Sequence, residues 1–154
     1  MSLDVQPAAN NAASGEIARN CLLTRTRQIS RVLTAIYDDA IRPFDINASQ
    51  FTLLVLILEL GPLSRSNLAR RNCHDRTTLT RNLRPLMLRG LVREHAPAGN
   101  GRSRALSVTK QGLALLRDAA PGWSAAQTQA KALIGSVGAD ALMGIAEMLP
   151  YRMS

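Results

Sequence analysis

Apolar residues recur at three- and four-residue steps from Glu16 to about Ile41. Ile17, Cys21, Leu22, Ile29, Val32, Leu33, Ile36, Tyr37 and Ala40 carry the repeat. The pattern predicts a long helix that Pro43 ends. Residues 1–14, MSLDVQPAANNAAS, show no such period and read as a mobile tail. Asn47, with Gln50 three residues on, has the form of a capping box. The run from there to Leu60 is apolar on nearly every side and belongs in the middle of a structure; Gly61-Pro62 stops it. Ser64 can cap a short helix whose Leu68 and Ala69 face inward, and a turn follows near Asn72 to His74. Asp75 can cap the next helix. There Leu79, Leu83 and Leu86 cluster on one face with Met87 at its edge, while Thr77, Arg81 and Arg84 fall opposite. Leu88 lands near the polar side and is expected to pack against the element that follows. Pro85 is expected to bend this helix and Gly90 to end it.

Two short alternating runs, residues 91–96 and 105–109, then read as strands. The loop between them carries an Asn-Gly turn signal and two arginines. Thr109 can cap a further long helical pattern through Ile134, with a kink expected at Pro121-Gly122. A last helix is expected from about Asp140 to Leu149, closed by Pro150. The order helix, turn, helix, basic-tipped hairpin is that of a winged helix-turn-helix. The predicted fold is mainly α with a small β-hairpin wing. It has no internal repeat and no second domain.

Charge sharpens that picture. The 154-residue chain has a net charge of +8. Between Arg65 and Arg104 lie ten arginines and only two acids, Asp75 and Glu94, so this stretch holds the whole excess; elsewhere nine basic residues balance nine acidic ones. A guanidinium fork suits phosphate and guanine edges, and charge concentrated in one stretch points to a polyanion. A helix fits the major groove, and a basic hairpin tip fits the narrower minor groove. No nucleophile–base pair, metal-ligand spacing or glycine-rich phosphate loop appears. An enzyme is therefore not expected, and neither is a cofactor or a metal. His74 and His95 stand too far from other ligand types to suggest a metal site. The longest apolar run, residues 51–60, is too short to span a bilayer, and no targeting signal opens the chain. Two cysteines, Cys21 and Cys73, make no disulfide framework. The expectation is a cytoplasmic protein without a membrane partner.

The segment NLARRNCHDRTTLTRNLRPLMLRGLVRE, followed by GRSRALSVTKQG, resembles the MarR family of bacterial transcription regulators. The matching features are the Leu-Ala of the first short helix and the Thr-Leu-Thr-Arg of the second. The Gly-Leu-Val after it, the wing arginines and the Val-Thr-x-x-Gly beyond them match as well. The resemblance covers about residues 16–149 and implies one MarR-like domain over 15–154. Its winged lobe would span about 47–109, and helices at about 16–42 and 110–150 would form a dimerisation lobe. It further implies a homodimer on double-stranded DNA, reading a pseudo-palindrome with half-sites roughly 10 bp apart. Such a dimer would act as a repressor released by a small ligand. Thr77, Thr78 and Arg81 would approach bases or nearby phosphates; Arg76, Arg84 and Arg65 would reach phosphates, and Arg102 and Arg104 belong to the wing. The family commonly places Asp two residues before the wing arginine; here that position is Asn100, which braces an arginine more weakly.

An effector pocket would lie between the two lobes, with Ile36, Tyr37, Phe44, Phe51 and Trp123 as lining. One branch of the family senses peroxides through a cysteine near the position of Cys21, held by tyrosines. Tyr37 resembles one of these, two residues out of register, and no second is found. Arg25 and Arg27 are near enough in sequence to lower a thiol pKa. An oxidant sensor, a winged helix used for protein contact and a sequence-indifferent architectural DNA binder are the alternative readings. The hydroxyls of Thr77 and Thr78 beside Arg81 favour base reading over the last two.

Overall fold

The computed structural model describes residues 7–96 and 104–149, which divide into two compact units between Ala35 and Ile36. In the first unit a helix, α1 (Pro7–Asn20), begins inside the stretch expected to be a tail. Proline at the first helical position is pre-set for a helix, and the alanines after it are the strongest helix formers. The single helix expected from Glu16 is two, because Cys21 separates α1 from α2 (Leu22–Ile41). The break is shallow: Cys21 N–H still donates to the Ile17 carbonyl at 3.0 Å, and Arg25 N–H to the Cys21 carbonyl at 3.1 Å. The Arg25 guanidinium donates to the carbonyls of Ala18 and Arg19, which places a cation at the negative end of α1.

The second unit is organised around α3 (Ala48–Glu59). Its capping box forms as expected: Asn47 Oδ1 accepts from Gln50 N–H at 2.9 Å and Gln50 Oε1 accepts from Asn47 N–H at 3.0 Å. Leu53, Leu54 and Ile57 of this helix are buried against Leu68, Leu83, Leu86, Leu91 and Leu106. The core is aliphatic, with Phe44 and Phe51 packed at its edge. Ser64 caps α4 (Arg65–Arg71), Asp75 caps α5 (Arg76–Leu88) and Thr109 caps α6 (Lys110–Met148), each by accepting a backbone N–H from three residues on.

Helix α5 continues through Pro85 to Leu88. It ends in a Schellman arrangement: Gly90 N–H donates to the Met87 carbonyl and Leu91 N–H to that of Leu86, with Gly90 at φ +68°. Leu88 is 77% exposed and so does not pack as expected. Strands β1 (Val92–His95) and β2 (Ala105–Val108) pair antiparallel, with Val92 opposite Val108 and Glu94 opposite Leu106. Leu63 adds a bridge to Leu106, tying the hairpin back to the entry of α4.

The kink in α6 is not where proline suggested. The helix runs through Pro121-Gly122 and breaks at Gly135, which has φ +72° and ψ 163°, a conformation close to glycine's alone. Gly122 instead lets the chain approach the Ala40 carbonyl, which a Cβ there would meet at 3.0 Å. The helical turn expected from Asp140 therefore starts just after Gly135. Pro150 and the wing tip, residues 97–103, lie outside the described residues. No single described helix is long and apolar enough to cross a membrane.

Candidate nucleic-acid interface

The turn between α4 and α5 is tight, with Cys73 in the left-handed region at φ +50°. It brings Asp75 to the start of α5, where the carboxylate accepts from both the backbone N–H and the hydroxyl of Thr78 at 2.8 Å. Those two bonds hold the Asp75 carboxyl below its usual pKa. The Thr78 hydroxyl is thus part of the cap. With Leu79, Leu83 and Leu86 turned into the core, Arg76, Thr77, Arg81 and Arg84 are left in solvent along the outer face. Asn82 donates to the Thr78 carbonyl at 3.1 Å and stiffens the first turn.

The arginines divide by what they touch. Arg65 is half-buried and donates through Nε to Glu94 Oε1 at 2.8 Å and through Nη2 to Oε2 at 3.3 Å. Arg104 is exposed, with Nη1 3.7 Å from Glu94 Oε2. Two of the expected DNA contacts therefore meet at one carboxylate, which their bonds and charges hold below its ordinary pKa, the Arg65 hydrogen bonds foremost. Arg89 turns away from the surface to donate to the Phe44 and Asp45 carbonyls, so it pins α5 to the turn before α3. Arg102 and Asn100 lie outside the described residues.

Sequence reasoning missed Glu94. The signal was present: period-two alternation puts Glu94 on the same face of β1 as buried Val92, and that inward position needs a cation. Across the hairpin, His95 Nε2 lies 2.6 Å from the Ser107 hydroxyl.

The expected pocket lining is dispersed in role. The Tyr37 hydroxyl donates to Gln127, and burial raises its pKa. Phe51 packs on the core, while Phe44 both packs there and lines an open groove of about 410 Å³ with Arg89, Gln111 and Leu115. Ile36 is half-buried and Trp123 is exposed. Cys21 is partly exposed, and hydrogen bonds from Thr24, the hydroxyl first, lower its pKa. The Arg25 guanidinium, expected to act on this thiol, is bonded to the end of α1 and to Gln28 instead. Cys73 is exposed. No group of three or more His, Cys, Asp and Glu gathers into a metal site among the described residues.

A sequence model described as the MarR family matches residues 46–103. The M. tuberculosis transcriptional regulator MosR, solved in complex with DNA, is similar at 34% identity with a TM-score of 0.70, over 83% of this chain and 95% of that one. A second MosR structure is similar at 36% identity with a TM-score of 0.69, over 83% and 96%. A mutant of E. coli MarR complexed with operator DNA has the same fold, with a TM-score of 0.76 at 18% identity over 88% and 98%. No curated protein matches the chain by sequence.

Proposed function

The chain belongs to the MarR family of transcription regulators, and from that premise we propose that it is a homodimeric repressor that reads a pseudo-palindromic duplex and is released by a small ligand. One observation carries the DNA reading: α5 buries Leu79, Leu83 and Leu86 and leaves Arg76, Thr77, Arg81 and Arg84 in solvent beside the β1–β2 hairpin. A helix so divided can lie in a major groove with its core face held rigid behind it. Thr77 and Arg81 take the bases. Arg76 and Arg84 take flanking phosphates, and Thr78 adds a contact only by sharing its hydroxyl with Asp75. Arg65 and Arg104 approach the backbone from the base of the wing, and Arg102 enters the minor groove. DNA complexes of MosR and of E. coli MarR support this reading.

The test is Arg81→Ala. Affinity for the preferred duplex should fall by about 1–3 kcal/mol, with preference loosened at particular base pairs. An equal loss on every sequence would make Arg81 a phosphate contact.

A second reading, oxidant sensing, is favoured by the Thr24 bonds that lower the Cys21 thiol pKa. Peroxide treatment that releases DNA from the natural chain but not from Cys21→Ser would support it. Equal binding before and after treatment would remove it.

A further inference from the structure

The basic stretch has two acids, and Asp75 is occupied as a helix cap. Glu94 is the other, and its side chain is only 12% exposed. It faces inward from β1, opposite Leu106, and meets arginines from two other places in the chain. Arg65, the first residue of α4, grips it side-on through two N–H groups, the geometry of a strong carboxylate–guanidinium pair. Arg104, just before β2, is within ion-pair reach at 3.7 Å but too far for a hydrogen bond, and its side chain is 68% exposed. One arginine is fastened and the other is loosely attracted.

We propose that Glu94 is an internal anion that competes with DNA phosphates for Arg65 and Arg104 and so restrains the sequence-independent part of duplex binding. This rests on the DNA-binding reading above. A carboxylate offers a guanidinium two oxygens, as a phosphate does. Sequence-independent affinity follows the number of phosphates that arginines neutralise. Each phosphate that takes Arg65 must leave Glu94 poorly compensated in a half-apolar site, which is costly. Arg104 can turn outward at smaller cost. Glu94 therefore removes about one charge from the phosphate-binding count and leaves the base-reading face of α5 untouched. The restraint acts on every duplex alike and lowers the salt-dependent part of the affinity.

Glu94→Gln keeps the shape and removes the charge. Full-length natural and variant chains are titrated against a random-sequence duplex and against the duplex enriched by selection, over a range of salt. The variant should bind the random duplex about tenfold more tightly at low salt. Its plot of log affinity against log salt should steepen by about 0.9, one further phosphate contact. The enriched duplex should gain by a similar factor, so the ratio of enriched to random affinity should stay about the same. An unchanged slope and an unchanged random-duplex affinity overturn the proposal while leaving the DNA reading intact; a natural chain that binds neither duplex overturns both. If the glutamine variant does not fold, Arg65→Ala decides. A restrained arginine contributes clearly less than one full phosphate to the slope, whereas a loss of the full ~0.9 shows that Glu94 does not hold it.

Discussion

The winged part of the chain and its flanking helices treat apolar residues in opposite ways. Around α3, Leu68 of α4, Leu79, Leu83 and Leu86 of α5 and Leu106 of β2 are buried. Along α1 and α2 as far as Val32, Ile17, Leu22, Leu23 and Val32 are exposed; so are Leu133, Val137, Met143 and Met148 toward the end of α6. Large apolar side chains left in solvent in such number mark surfaces that meet something else. The winged part completes its own core, whereas the flanking helices leave much of their apolar surface in solvent. A second copy of the chain fits the proposed two-fold reading of DNA.

The largest effect expected from that contrast is in the core. Leu83 is wholly buried, and Leu83→Ala should cost about 2–5 kcal/mol in urea unfolding. A loss below about 1 kcal/mol would mean that the winged part does not carry the stability of the fold.

Val137, 82% exposed beyond the break at Gly135, is the counterpart. Val137→Glu should weaken self-association at least about tenfold while helical content is kept. Light scattering reads this directly, and an unchanged mass would take the far end of α6 out of the interface.

The smallest effect is with acid. Glu94 and Asp75 have pKa values below their ordinary ones, so the stability they contribute is complete above the usual carboxylate pKa of about 4. It is lost as pH falls through their folded-state values. The melting temperature should drop below about pH 4, and by less in Glu94→Gln. A drop of the same size in both chains would show that Glu94 contributes nothing.

Local chemistry was the most legible part of the sequence. Asn47, Ser64, Asp75 and Thr109 each cap through an N–H three residues away, a relation written in adjacent letters. The buried stripe Leu79, Leu83 and Leu86 followed from helical spacing alone. What escaped was non-local or turned on a balance of small terms. Arg65 and Glu94 are 29 positions apart, and Arg89 reaches 45 back to Phe44, so neither partner is visible from its neighbours. Proline at 121 costs one helical bond and the helix absorbs it. Glycine at 135 gives access to a backbone region closed to other residues, and the break falls there. The outer face of α5 was legible as a surface of arginines and hydroxyls; which arginines are already engaged was not.

The central claim, that this surface reads sequence in duplex DNA as a dimer, is tested most directly by selection from a pool of random duplexes at near-physiological salt, with the bound fraction sequenced. The account predicts an enriched pseudo-palindrome whose half-sites lie about one helical turn apart, roughly 10 bp. Binding without enrichment, or no binding of any duplex, would contradict it.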